Sequence, residues 1–137
     1  MKCSICGKEM TEYGNNPAPF SGEKCCDKCN RKVVLPYRTF LSELENEKVA
    51  LLITQSEFKI VKPKDKYFTL EELQSNVEGH IQLAQEVFPG YFTVCDEEGL
   101  LKELPLNELF YKGFGKRLYG NVLIVPISIF EKPEDIE

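Results

Sequence analysis

The sequence predicts an α+β protein in two units: a small cysteine-rich N-terminal module, then a compact α+β domain with a largely antiparallel sheet of three or four strands. Three observations predict it. Five of the six cysteines fall within residues 1–29, four of them as two Cys-x-x-Cys pairs separated by turn residues and the fifth, Cys25, beside the second pair. Beyond residue 48, short apolar runs with period-two alternation are separated by Pro, Gly and Asp turns, the signature of paired strands. Between them lies one short stretch with a complete helix start signal, Thr69-Leu70-Glu71-Glu72.

Taken in order, Cys3-Ser4-Ile5-Cys6-Gly7 reads as a knuckle that presents two thiolates from one turn, with Gly7 supplying a positive φ. Tyr13 to Pro19 is turn chemistry and is expected as loop. Cys26-Asp27-Lys28-Cys29 is expected to open a helix whose apolar positions Val33, Tyr37, Phe40 and Leu44 recur at helical spacing. Pro36 interrupts that pattern, so a kink or two short helices meeting there is expected. Ala50 to Ile53 fits either a strand or a last apolar helical turn. Ser56 to Lys62 reads as a strand with Phe58 and Ile60 on one face, followed by a loop at Pro63 to Lys66. Thr69 to Val77 is a helix with Leu70, Leu73 and Val77 as its apolar stripe, and Gly79 is the expected left-handed cap. His80 to Phe88 and Tyr91 to Cys95 are expected to pair as a hairpin across Pro89-Gly90, with a turn at Asp96 to Gly99. Asn107 caps a short helix through Tyr111, Gly113 to Gly120 is a flexible loop, and Asn121 to Phe130 is a long apolar strand placed centrally. The units so defined are residues 1–47, residues 48–130 and an acidic tail at 131–137.

The two cysteine pairs carry the most specific chemistry. Four thiolates in two tight turns are the ligand set that Zn²⁺ takes tetrahedrally. The expected ligands are Cys3, Cys6, Cys26 and Cys29, holding a structural Zn²⁺. Cys25 is the competing choice at the third position, but Cys26 preserves the two-residue spacing of the first pair. The N-terminus has no apolar signal-peptide core, which favours metal ligands over disulfides. No run of about 18 apolar residues predicts a membrane span.

Elsewhere the bland reading outweighs the functional one. His80, the single histidine, lacks a sequence partner that would make it a general base. Asp96-Glu97-Glu98 could hold a metal but reads as a solvated turn, and Cys95, with no basic neighbour, reads as an inert core residue. Lys24, Lys28, Asn30, Arg31 and Lys32 could meet phosphates, or simply form a solvated helix face. Gly113-Phe114-Gly115-Lys116-Arg117 lacks the Gly-Lys-Ser/Thr order of a phosphate loop. No catalytic constellation stands out, so no enzyme is predicted.

Net charge is −5, distributed as +3 over residues 1–40 and −8 over residues 41–137. A tetrathiolate zinc site contributes about −2 of its own and brings the N-terminal part near neutral. The balance argues against a dedicated nucleic-acid binder. Phe20, Val34, Tyr37, Phe40 and Leu41 are more apolar surface than so small a module can bury alone. They are expected to pack on the C-terminal domain or on a second copy of the chain, so that the two units act as one interaction surface.

A knuckle followed by a helix carrying the second ligand pair resembles treble-clef zinc folds. With Tyr13 to Pro17, Cys26 to Asn30 and Val33 to Pro36, the N-terminal segment looks like a small four-cysteine zinc module of phage proteins. The second half is similar to a domain-of-unknown-function family that recurs in bacteriophages and prophages. That match is carried by Leu73 to Gly79, Ile81, Asp96 to Gly99, Leu104 to Asn107 and Tyr119 to Val125. The resemblance implies a phage or prophage protein acting in the bacterial cytoplasm and brings no activity with it. Three roles follow as expectations. The first is binding of a host or phage protein, in host takeover or anti-defence. The second is nucleic-acid binding through Lys24, Lys28, Arg31 and Lys32. The third is binding of a small ligand such as a nucleotide through Lys116 and Arg117.

Overall fold

The computed structural model describes residues 1–65, 67–96 and 102–129. Among them five strands form one antiparallel sheet in the order β2-β1-β5-β4-β3: β1 Ala50–Ile53, β2 Phe58–Val61, β3 Ile81–Phe88, β4 Tyr91–Asp96 and β5 Val122–Pro126. The extra strand relative to expectation is the ambiguous one, β1. It is buried along its whole length, so it shows no polar alternation from which a strand could be told. β5 is central and fully buried, as its apolar run predicts, and Pro126 ends it before a 3₁₀ turn at Ile127–Ile129. Phe130, the tail at 131–137 and the turn at Glu97 to Gly99 lie outside the described residues.

The helical run at 27–42 is uninterrupted and holds two short α-helices joined by a π-helical turn just before Pro36, close to the two helices expected there. It begins as α1 (Asp27–Cys29), widens into a π-helical turn at Asn30–Val34 and resumes as α2 (Leu35–Ser42). Proline has no N–H to give, and the wide turn lets Leu35 donate to Asn30 O immediately before it. Pro36 thus sits at the first turn of α2, where a missing donor is harmless.

α3 (Leu70–Val77) has the predicted capping box, with Thr69 and Glu72 each accepting the other's backbone N–H. Leu73 and Val77 are buried, whereas the side chain of Leu70 lies outside the described set. The left-handed cap is Glu78, at φ 61°, and not Gly79 as expected. Asn121 holds that cap by donating to Asn76 O and to the Glu78 carboxylate. Gly79 has a different reason to be glycine: a Cβ there would lie 2.4 Å from Asp96 Oδ2.

α4 (Glu108–Phe114) outruns its expected end at Tyr111, so Gly113 and Phe114 are helical and Gly115 is the left-handed cap. Asn107 opens it and is fully buried. Its Oδ1 accepts from Phe110 N–H, and its Nδ2 donates to Ile53 O and Gly120 O. Asn107→Ala removes a cap and leaves two buried carbonyls short of a donor. The expected loss is about 3 kcal/mol, to be read as a fall in the denaturant midpoint without a change in slope.

The sheet is covered on both faces. Leu52, Val94, Leu123 and Val125 meet Leu73 and Val77 of α3 and Phe68. Leu51, Ile53, Phe58, Tyr91, Val122 and Ile124 point to the other face, where the N-terminal module, α2 and α4 form one cluster with them. Phe20, Val34, Tyr37 and Phe40 are buried there, with Leu41 packed at its margin. Of the two destinations expected for these residues, the chain's own C-terminal domain is the one they occupy. An aromatic chain joins the layers: Phe20 and Phe58 at 5.6 Å, Phe58 and Tyr37 at 5.2 Å, Tyr37 and Phe114 at 5.7 Å, Phe114 and Phe88 at 5.8 Å. The first and last of these pairs are edge-to-face, a geometry that adds about 0.5–1.5 kcal/mol each beyond the buried area. Tyr91 also pins the end of the helical region, its hydroxyl donating to Leu44 O at 2.8 Å.

Candidate metal centre

Two backbone segments build the centre. In the first, Cys3 N–H donates to Lys8 O and Gly7 N–H to Cys3 O, and Gly7 turns the chain at φ 79°. This is the knuckle predicted from Cys3 to Gly7. In the second, Asn15 and Cys25 exchange both backbone hydrogen bonds, and the chain passes through Cys26 into α1. Ser4 N–H donating to Lys24 O joins the two segments. Cys26 is extended, at φ −73° and ψ 166°, and is the N-cap of α1. Successive side chains of extended backbone point to opposite sides, which separates Cys26 from Cys25. Cys25 faces the core with no exposed surface.

The sulfurs of Cys3, Cys6, Cys26 and Cys29 all lie within 4.8 Å of one another, and Cys6 and Cys26 Sγ are 3.9 Å apart. A tetrahedral ion at about 2.3 Å from each sulfur separates the sulfurs by roughly 3.8 Å. The four cysteines are therefore positioned to bind a metal ion, and they are the four predicted. Among the described residues no other set of Cys, His, Asp or Glu comes so close together.

Backbone amides are aimed at the sulfurs. Cys3 Sγ accepts from Ile5 and Cys6 N–H at 3.4 Å each and from Cys26 N–H at 3.3 Å, and Cys26 Sγ accepts from Cys29 N–H at 3.5 Å. Burial alone raises the Cys3 thiol, but the three amides outweigh it and bring it down to about 6. Cys3 is thus mainly thiolate at neutral pH before any metal arrives. Burial pushes Cys26 and Cys29 up, with Cys29 also opposed by neighbouring sulfurs, so these two favour the thiol until an ion displaces the proton. Burial also raises Cys25.

The centre is tied to the rest of the molecule. Lys112 of α4 donates through Nζ to Ile5 O inside the knuckle. Arg38 of α2 clamps the spacer loop, Nε to Ala18 O at 2.8 Å and Nη2 to Asn16 O at 2.9 Å. At the start of α1, Asp27 N–H donates to Glu12 Oε2 at 3.0 Å and holds that carboxyl below its usual range. The sequence gives no sign of the Lys112 or Arg38 contacts, because both reach carbonyls at least 20 residues away.

The other candidates are dispersed. His80 is exposed just before β3. Asp96 is buried and paired with Lys102 at 2.8 Å, while Glu97 and Glu98 lie outside the described residues. Cys95 is buried, and burial with Asp96 beside it raises its thiol. Lys24 lies over the Tyr13 ring at 4.3 Å. Lys28 and Lys32 line a cleft of about 420 Å³ between the knuckle and the C-terminal domain. Cys6 and Cys26 lie on its metal side, Gln55, Leu109 and Lys112 on the other. Lys116 and Arg117 follow the α4 cap at the surface, away from that cleft.

Among the described residues no helix is long and apolar enough to cross a membrane. Residues 48–130, which hold the whole sheet, α3 and α4, match the family described as Domain of unknown function (DUF3846). No curated protein and no solved structure matches the chain.

Proposed function

This chain belongs to the DUF3846 family, and we propose that it is a non-enzymatic, zinc-stabilised binding protein of phage or prophage type that engages a host or phage protein in the bacterial cytoplasm. The metal is zinc in this reading, because four thiolates at tetrahedral spacing are a structural zinc set. Four sulfur ligands leave no open position for water or substrate, which supports a structural role over a catalytic one. A knuckle supplying one ligand pair and a helix start supplying the other support the treble-clef comparison.

The observation that carries the reading is the cleft shared by the metal lobe and the C-terminal domain. Neither unit lines it alone, so the metal shapes a surface to which both contribute. Its lining mixes Lys8, Lys28, Lys32 and Lys112 with Glu9, Glu12 and Glu108. A phosphate backbone would be repelled by three carboxylates, whereas a protein segment of mixed charge would be complementary.

The test is affinity capture from host lysate with the full chain, beside a Lys28→Glu/Lys32→Glu variant of equal metal content. The expected result is a protein retained in stoichiometric amount by the wild type and lost from the variant. Recovery of nuclease-sensitive nucleic acid in its place, or equal capture by both forms, would contradict the reading.

A further inference from the structure

A second site lies where β3 leaves its register. Thr93 pairs with Ala84 and Tyr91 with Phe88, so four residue steps on β3 span only two on β4. Bulges re-aim the chain and are frequent beside binding sites. Here the bulge borders a cavity of about 550 Å³ lined by Ala84 and Thr93 of the hairpin, Phe110 and Tyr111 of α4, and Lys116 and Arg117 beyond its cap. That volume is ordinary for a small-molecule site.

The lining has an uneven chemistry. Thr93 is 1% exposed, and its hydroxyl has no hydrogen-bond partner among the described residues. A buried hydroxyl is disfavoured unless something meets it. Lys116 and Arg117 bring two cations; among the described residues no carboxylate lines the cavity and neither of the two has an ion pair. On a chain of net charge −5, two cations without counter-charge mark one place where an anion is favoured. Arg117 lies 5.5 Å from the centroid of the Tyr111 ring, which orients its guanidinium. Tyr111 supplies an exposed aromatic ring, and Phe110, with no exposed surface, only closes the cavity floor.

We propose that this cavity binds a mononucleotide, its phosphate on Lys116 and Arg117 and its base against Tyr111 and Thr93. A phosphate monoester carries a charge of about −1.5 to −2 at neutral pH, which two cations match. The Tyr111 ring calls for a ligand with a ring to bury, and the Thr93 hydroxyl can donate to or accept from a base edge. The site shares no lining residue with the metal-lobe cleft, so it stands or falls independently of the protein-binding reading.

The test is calorimetric titration of the metal-loaded full chain with AMP, GMP, CMP and UMP, beside adenosine and inorganic phosphate. At least one nucleotide is expected to bind one-to-one, at least about tenfold tighter than adenosine or phosphate, and more weakly as salt rises. Lys116→Ala/Arg117→Ala should lower that affinity at least about tenfold with the melting temperature of the free protein unchanged, since both residues are exposed. Thr93→Val should weaken binding without removing its salt dependence. If no nucleotide binds more tightly than phosphate, or the double variant binds as the wild type does, the assignment is wrong.

Discussion

Deleting residues 1–47 is expected to leave an insoluble or molten remainder, even though the family match begins at residue 48. The deletion strips one face of the sheet. Leu51, Ile53, Phe58, Tyr91, Val122 and Ile124 all sit in the cluster that the N-terminal module and α2 complete. Burial of a large apolar side chain is worth about 1.5–3 kcal/mol, and six of them match or exceed the net stability of an ordinary domain, about 5–15 kcal/mol. α4 still covers part of this face through Leu109 and Phe110, but it loses the Lys112 bond to Ile5 O. The amide NMR spectrum of residues 48–137 should be collapsed and the protein should bind a hydrophobic dye. A dispersed spectrum from a soluble monomer would show that the sheet holds without its cover.

The second large effect is at the ligands. Cys29→Ser is expected to release the metal and unfold the chain as a whole. Structural zinc contributes about 10–16 kcal/mol in isolated finger peptides, comparable with the entire stability of a domain. Cys29 and Cys25 lie in the same buried cluster as Phe40, Phe58 and Ile124, so loosening the metal lobe also loosens the sheet. The control is Cys25→Ala. Cys25 is fully buried but outside the sulfur cluster, so this variant should keep its metal and lose only about 1–2 kcal/mol through the small void it leaves. Metal-content analysis and thermal denaturation on both variants, with Cys26→Ala as a third, check this. Metal lost from Cys25→Ala and kept by Cys26→Ala would reverse the ligand assignment.

What the sequence shows of this structure follows the range of each interaction. The ligand set is legible because Cys-x-x-Cys is local and four thiolates have few other uses. The capping box of α3 and the Asn107 cap of α4 are legible for the same reason: each closes within three residues. The hairpin of β3 and β4 is read correctly across Pro89-Gly90, but its bulge is invisible, since it depends on register with β4. β1 could not be typed because Ala50 to Ile53 are buried on both sides of the sheet. Gly79 shows why a residue type alone misleads. It suits a left-handed cap, and its role here is set by Asp96, which reaches it from the end of β4. The cavity beside Thr93 likewise depends on neighbours distant in sequence, whereas the π-helical turn before Pro36 is local, closed by Leu35 N–H on Asn30 O.

The claim on which the account rests is that a closed tetrathiolate zinc site is an integral part of this fold. Native mass spectrometry with elemental analysis, on protein purified without chelator and again after chelation, tests it most directly. The account predicts one zinc per chain in the first sample. After chelation it predicts none, with the charge-state distribution shifting from folded to unfolded in one step. Less than half an equivalent of zinc in the unchelated protein, or a chelated protein that keeps its folded distribution, would contradict it.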